Sequence, residues 1–439
     1  MAATLERVTF GTSRLLDFCS EKEMVAQTGH QKADWPLVVL KELMDNALDA
    51  CEEGGIAPEI SVTVNSQGIT VADNGPGLPQ ETIKNILDYT VKVSSKEAYM
   101  APDRGAQGNA LKTILAMPFV LDGIEGKVII NSKGLDSIIT FRVHHIRQEP
   151  VIDVETQESL VKNGPSVTVC WPNLAFCSIL ERHKACFLQM TSDYTWLNPH
   201  LTLKTDWFGC GGTVAATTPD WDKWKANFPT CPHWYSTSTL ARLISAYIAH
   251  DLDAGRERLI REFVAEFRGL SSSRKQKAVL EATGLARQPL SALVKNGNVC
   301  PDLAHSLLTA MRLETKPVKP ESLGVIGKEH LMARFIESNG DPDSFKYRRT
   351  LSADPTPEVY EFAFGYCPSR EDIGRRIITG VNWSPGILNP FRQLGYFQSL
   401  DSILADAFCG DSEPILVFLH VASPAVHYTD RGKSAVEVT

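Results

Sequence analysis

Three short patterns in this sequence hold side chains whose types and spacing suit chemistry on a phosphorylated ligand. The first is Glu42 and Asn46, one helical turn apart in LVVLKELMDNALDAC, with Asp49 three residues on. At about 100° per residue these three share one side of a helix, while Leu40, Leu43, Met44, Ala47 and Cys51 share the other. A carboxylate and an amide so placed can serve one metal-bound phosphate. The Asn46 carbonyl oxygen suits magnesium, and Glu42 can orient and deprotonate a water. Polar residues on an amphipathic helix are more often simply solvated, so this pattern alone does not decide.

The second pattern, VADNGPGLP, closes a strand-like run. Asp73 at the strand end is an acceptor for an exocyclic amine such as that of adenine, and a buried carboxylate needs such a partner. Gly75 and Gly77 let the backbone turn tightly and approach a flat base. An ordinary Asn-Gly turn has the same letters. The third, DRGAQGNALKTIL, puts Gly105 and Gly108 just ahead of a helix, where backbone N–H groups bind phosphate, with Lys96, Arg104 and Lys112 adding positive charge. Glycine-rich helix starts are also common as plain loops.

The elements that must position these residues follow from periodicity. Residues 35–51 read as a helix, 59–64 and 68–72 as alternating strands, 80–89 as a helix, 90–109 as a polar loop and 110–117 as another helix. Strand-like runs follow at 127–131, 137–143 and 166–171. Helices with a mostly antiparallel sheet make an α+β sandwich. Residues 212–236 read as a loop-like boundary, 237–312 as almost wholly helical, 313–328 as a Pro/Gly linker, and later strands fall at 359–364, 375–382 and 415–422. The 439-residue length suits about two to four domains. Ten scattered cysteines without a CxxC pair argue against zinc and against a disulfide framework. No apolar run is long enough to span a membrane and the N-terminus lacks a signal-peptide core, so a cytoplasmic protein is expected. The net charge of −8 excludes coating nucleic acid by bulk charge, though not a local basic face. The candidate clusters for such a face are 274–278, Arg256/Arg258/Arg261 and Arg375–Arg376.

Taken together and in this order, the three patterns resemble the GHKL (Bergerat-fold) ATPases: gyrase-type subunits, mismatch-repair ATPases, heat-shock chaperone ATPases and histidine kinases. The stretch ahead of the first helix is too short for the phosphoacceptor-histidine helix of the kinase branch. The resemblance implies a left-handed βαβ sandwich holding ATP and Mg2+ under a lid at 90–109. Glu42 would be the general base, Asn46 the magnesium ligand with Asp49 beside it, and Asp73 the adenine reader. Gly75 and Gly77, and Ser95, Lys96, Arg104, Gly105, Gln107, Gly108 and Asn109 of the lid, would contact base or phosphates.

Further segments resemble the B subunit of topoisomerase VI: KELMDNALDA, VADNGPGLP, SSKEAYMAPDRGAQGNALK, WLNPHLTL, CPHWYSTSTLARLI, KPVKPESLGVIGKEHL and ILVFLHVASPAVHYTDRGKSAVE. That resemblance implies an N-terminal arm (1–30), a GHKL ATPase domain (31–236), a helix–two-turn–helix-like domain (237–312), a linker (313–329) and a transducer-like domain of ribosomal-S5-like α/β type (330–439). It also implies an ATP-dependent homodimer that clamps double-stranded DNA, within an A2B2 heterotetramer whose separate A-type subunit cleaves. The sequence departs from the pattern at Ala110, where the lid motif carries another glycine. It departs again at NGPSVTV, where a threonine is replaced and Ser166 is the stand-in. Lys433 is the nearest candidate for the transducer lysine that reaches the γ-phosphate. The chain stops at Thr439, where the family continues into a long helix, and no cleavage-type tyrosine with an acidic metal cluster is recognisable. A diverged scaffold or DNA-binding subunit, with ATP as a structural or switch ligand, is the alternative.

Overall fold

Alternation decides the first layer. In β1 (Glu59–Asn65) and β2 (Gly68–Ala72), Ile60, Val62, Val64, Ile69 and Val71 are buried. The antiparallel pairing of Val62 with Val71 holds that face in register, and a one-residue slip would turn it to solvent. The computed structural model describes residues 18–87, 98–104, 110–144, 146–147, 149–159, 164–171, 174–354, 356–394, 398–426, 428 and 435–436. After β2 come α3 (Gln80–Ile86) and α4 (Ala110–Asp122), preceded by α1 (Glu21–Thr28) and α2 (Trp35–Glu53). Strands β3 (Gly126–Ser132), β4 (Leu135–His144), β5 (Glu149–Glu158) and β6 (Ser166–Cys170) lead to the long α5 (Leu174–Leu197) and a hairpin of β7 (Thr202–Trp207) and β8 (Cys210–Val214). These strands form one eight-stranded sheet in the order β5-β4-β3-β6-β2-β1-β7-β8. Every neighbouring pair is antiparallel except β1 with β7.

Helices α1, α2, α4 and α5 cover one face of this sheet, with Met24, Trp35, Met44, Met117, Phe187 and Tyr194 in the shared core. The opposite face presents Ser61, Thr63, Thr70, Ser166 and Thr168, all half-buried. The α+β sandwich expected from the sequence is therefore present. Residues 18–28, the described part of the expected N-terminal arm, are docked on it: Phe18 and Met24 are buried in the same core.

The second half is built on a different core. Helices α6 (Thr237–Asp253), α7 (Ile260–Ala265), α8 (Ser273–Thr283) and α9 (Pro301–Leu313), with the short pair β9 (Val294–Lys295) and β10 (Asn298–Val299), pack together. Next come α10 (Lys328–Glu337), β11 (Lys346–Ser352), β12 (Glu358–Tyr366), β13 (Arg376–Val381), β14 (Ser384–Pro385), α11 (Leu400–Asp406) and β15 (Ile415–Ala422). The five strands form a second sheet, β11-β12-β15-β13-β14, parallel only between β13 and β15. One apolar cluster unites the four helices with this sheet. Two segments read from the sequence as boundary and linker lie inside it: Trp224, Trp234, Leu323 and Ile326 are buried, and the Trp224 amide donates to the Leu323 carbonyl at 2.8 Å. Their Pro and Gly content reflects turns packed against tryptophan rings rather than free chain. Among the described residues, no helix is long and apolar enough to cross a membrane.

Candidate functional site

Helix α2 starts on Trp35 and carries Pro36, whose fixed φ suits the first turn, then continues through Leu, Met, Ala, Glu and Lys, all good helix formers. It carries three faces rather than the two read from the sequence. The apolar face packs on the sheet through Leu40, Leu43, Met44, Ala47 and Cys51. A second stripe holds Glu42, Asn46, Asp49 and Glu53. A third stripe, about 100° away by helical geometry, holds Lys41, Asp45 and Glu52, of which Asp45 and Glu52 are buried.

The second stripe faces a cavity of about 370 Å³ that also takes in the end of β2 and the start of β6. Asn46, Asp49, Asp73 and Gly77 all line it, so residues 27 apart in sequence (46 and 73) meet in one place. Leu43, Ala47, Val71, Leu78 and Val167 give it apolar walls suited to a flat base. Its volume lies within the range of small-molecule sites, about 300–1,000 Å³. Glu42 is half-buried one turn back along α2 and is not among the lining residues. The described lining includes Asp49, Glu53, Asp73 and Asp103 but no lysine or arginine. The described lining itself thus supplies no counter-charge for an anionic ligand.

Asp73 sits where β2 ends. Its Oδ1 accepts the Gly75 amide at 2.8 Å and the Cys51 thiol at 3.7 Å. Its Oδ2 has no hydrogen-bond partner among the described residues. Burial pushes the Asp73 carboxyl up to about 6, against the pull of the Gly75 amide. Gly75 shapes this turn rather than the cavity wall: a Cβ there would stand 2.7 Å from Asp73 Oδ1. Gly77 has φ +79°, and a Cβ would stand 2.8 Å from the Ser132 hydroxyl, which itself accepts the Leu78 amide at 2.8 Å.

Two sequence expectations are corrected. Ser166 does not line the cavity: it lies on the half-buried hydroxyl-rich sheet face beside Thr168, because strand residues alternate. Its neighbours Pro165 and Val167 line the cavity instead, and proline brings no hydroxyl to replace the missing threonine. Gly164 allows that approach, since a Cβ on it would meet the Asp73 carbonyl at 2.2 Å. Arg104 is not turned toward a phosphate. Its guanidinium is buried and donates to Asp49 at 2.6 Å, to both Glu52 oxygens at 2.7 and 2.8 Å, and to Asn198 at 2.6 Å. Ser95, Lys96, Gly105, Gln107, Gly108, Asn109 and Lys433 lie outside the described residues.

Around Arg104 is a buried ionic cluster that the sequence reading missed. Glu52 also accepts from Lys223 at 2.7 Å and meets His200 at 2.9 Å. Burial would raise the Glu52 carboxyl, but the Arg104 and Lys223 charges outweigh it and hold the group well below the usual carboxylate range. Burial brings the Lys223 ammonium down to about 8. The signal available in sequence was the 41/45/52 stripe, charged residues on a side of α2 that the apolar pattern does not claim.

The basic clusters are also largely spoken for, because the chain holds more carboxylates than cations. Arg258 pairs with Asp251 and Glu266, Arg375 with Asp401 and Asp411, and Arg376 with Asp193. Arg256 pairs with Glu262, Lys277 with Glu281, and Arg261 donates to Gln276 and Ser273. Arg274 is exposed and makes no ion pair among the described residues. No cluster of three or more His, Cys, Asp or Glu side chains fit to hold a metal occurs among them.

Residues 31–145 match the family described as histidine kinase-, DNA gyrase B- and HSP90-like ATPase, so an ATPase domain of GHKL type is present. The chain is 25% identical over 422 residues to the B subunit of type 2 DNA topoisomerase 6 from Archaeoglobus fulgidus, covering 91% of this chain and 66% of that protein. It is 31% identical over 158 residues to the protein of that name from Natronomonas pharaonis, covering 34% of this chain and 18% of the relative. For the Methanosarcina mazei protein of that name the figures are 34% over 98 residues, 21% and 16%. The chain thus spans somewhat under two thirds of the length of the first of these relatives and a much smaller part of the others. A solved structure titled "Crystal Structure of N terminal domain of a DNA repair protein" aligns at TM-score 0.41 and 11% identity, covering 94% of this chain and 92% of that one, a likeness too weak to carry weight.

Proposed function

We propose that this chain binds ATP with Mg2+ in the cavity between α2 and the end of β2 and hydrolyses it. The observation that carries this is the convergence of Asn46, Asp49, Asp73 and Gly77 on one apolar-walled cavity, with one Asp73 oxygen unengaged among the described residues. Asp73 would accept the adenine amine, while Leu43, Val71 and Val167 would hold the ring. Asn46 offers an exposed amide oxygen, a hard donor suited to magnesium, which takes only one or two protein ligands when phosphates supply the rest. The ion would spread the phosphate charge. Glu42, one turn from Asn46, would take the proton of the attacking water, with Lys96 and the glycines of 105–109 closing on the phosphates.

In this reading the chain is the ATP-gated clamp of a topoisomerase VI-like complex. It would dimerise on ATP, hold duplex DNA and work in the cytoplasm with a separate A-type cleaving subunit, as A2B2. The matches to the B subunits of topoisomerase 6 support it. The test is steady-state hydrolysis by wild type and Glu42→Ala, with gel filtration in the non-hydrolysable analogue AMP-PNP. Loss of turnover in the variant and an analogue-dependent dimer are expected. Wild-type turnover in Glu42→Ala would remove the base assignment.

One observation favours a second reading: Glu42 stands outside the cavity wall. A chain that binds ATP as a structural or switch ligand, in a scaffold or DNA-binding role, would bind the analogue and neither hydrolyse ATP nor dimerise.

A further inference from the structure

The third stripe of α2 is bound to the second sheet at one point. Asp45 Oδ2 accepts from the Ser384 hydroxyl at 2.8 Å and from Lys41 Nζ at 2.9 Å, and its Oδ1 accepts from the Tyr194 hydroxyl at 2.9 Å. Asp45 is buried, and its neighbour in the chain, Asn46, faces the cavity. Ser384 opens β14 just after a two-residue turn, Asn382–Trp383, that joins it to β13.

That turn is held in an unusual conformation. Asn382 and Trp383 have φ +49° and +63°, as a hairpin turn of this length demands, and the second position ordinarily goes to glycine. A fully buried tryptophan there keeps that conformation only because its surroundings fix it. The Trp383 amide donates to His420 Nε2 at 3.2 Å, its carbonyl accepts from Asn198 at 2.9 Å, and its ring lies 4.0 Å from Lys223 Nζ. Asn198 and Lys223 belong to the cluster that binds Arg104 and Glu52. Asn382 donates to the carbonyl of Asp103, a residue that lines the cavity, at 3.2 Å. One turn of the second sheet therefore bears on the nucleotide cavity from behind at two places, through Asp45 and through Asp103.

We propose that the Asn382–Trp383–Ser384 turn is a positioning element for the nucleotide helix, with Ser384 acting through Asp45 to set where Asn46 and Asp49 stand. This rests on the nucleotide reading of the cavity. Coupling of this kind is reciprocal: occupancy of the cavity tightens the turn, and loosening the turn misplaces the cavity residues.

The test combines amide exchange, calorimetry and kinetics on the full chain, with wild type, S384A and S384T. With Mg2+ and saturating AMP-PNP, exchange at the Asn382 and Trp383 amides slows about tenfold in wild type and less than about twofold in S384A, a mid-range coupling between sites. In S384A kcat falls about tenfold while KM stays within about twofold, the mark of an interaction that matters in the transition state, and S384T restores both. Equal slowing in wild type and S384A, or an unchanged kcat, overturns the inference. So does a loss in S384A that S384T fails to rescue, which is plain structural damage. A wild type that binds no AMP-PNP by calorimetry removes the nucleotide reading and this inference with it. A wild type that binds it while the turn amides exchange unchanged removes this inference alone.

Discussion

Replacing Glu52 with glutamine tests the ionic cluster most directly. The change keeps shape and removes one charge from a buried carboxylate that accepts from Arg104, Lys223 and His200 at 2.7–2.9 Å. Arg104 keeps Asp49 and Asn198, each at 2.6 Å. Lys223 loses its carboxylate while remaining buried, and the new amide points a donor at donors. Removing one partner of a buried pair costs about 3–5 kcal/mol, and the two contacts left to Arg104 place this case near the lower end, about 3 kcal/mol. At roughly 2–4 °C per kcal/mol for a domain of this size, the melting temperature drops by roughly 6–12 °C. Urea unfolding followed by tryptophan fluorescence reads it well, because Trp383 lies over Lys223 Nζ and Trp221 meets the His200 ring edge-on. The loss also has a pH signature. Because the folded carboxyl lies well below its ordinary value of 4.5, its contribution is complete above that pH and is lost as pH falls toward the folded value. The gap between wild type and Glu52→Gln should therefore be widest near about pH 5–6, narrow in acid, and narrow again as pH rises through about 8, where the buried Lys223 ammonium gives up its charge. A difference under about 1 kcal/mol, or a gap that widens in acid, refutes the claim that these charges hold the cluster together.

Other outcomes follow from single contacts. Burial raises the Asp73 carboxyl to about 6, so AMP-PNP affinity should fall as pH drops through that value, and Asp73→Asn should bind weakly at every pH without that midpoint. Gly77→Ala forces a side chain into φ +79° and against the Ser132 hydroxyl; about 1–3 kcal/mol of stability is lost and nucleotide titration weakens. Glu361 is wholly buried and accepts the Ile326 and Gly327 amides at 2.9 and 2.8 Å and the Tyr347 hydroxyl at 2.8 Å. Glu361→Ala should cost about 1–3 kcal/mol in urea. If duplex DNA is bound through the helical segment, Arg274→Ala lowers the slope of log affinity against log salt by about one.

The sequence shows the sandwich because its signals are local. Alternation marks β1 and β2, and helical period marks α2, so the residues that converge on the cavity could be named before any fold was known. What stayed hidden depends on contacts between distant segments. Arg104 carries the same letter whether it meets a phosphate or Glu52, and only folding decides. Ser166 and Val167 differ by one position, and the pleat sends one to each face. β5 reads EPVIDVETQE, an edge strand whose outer half is exposed and acidic, and its polar letters mask its pairing with β4. The Pro- and Gly-rich stretches near Trp224 and Leu323 look like spacers because turn residues announce themselves and the rings beneath them do not.

Helix α5 belongs to both halves of the molecule. Tyr194 lies in the core of the first sheet, and Trp196, two residues later, in the core of the second. At 24 residues the rod is roughly 36 Å long. Gly380 of β13 lets the two approach closely, since a Cβ there would stand 2.3 Å from a Leu197 methyl. The end of α5 is thus seated directly on the neighbouring sheet, like the foot of a crank on its pedal. Any rotation of one half against the other has to swing this rod or break its seat.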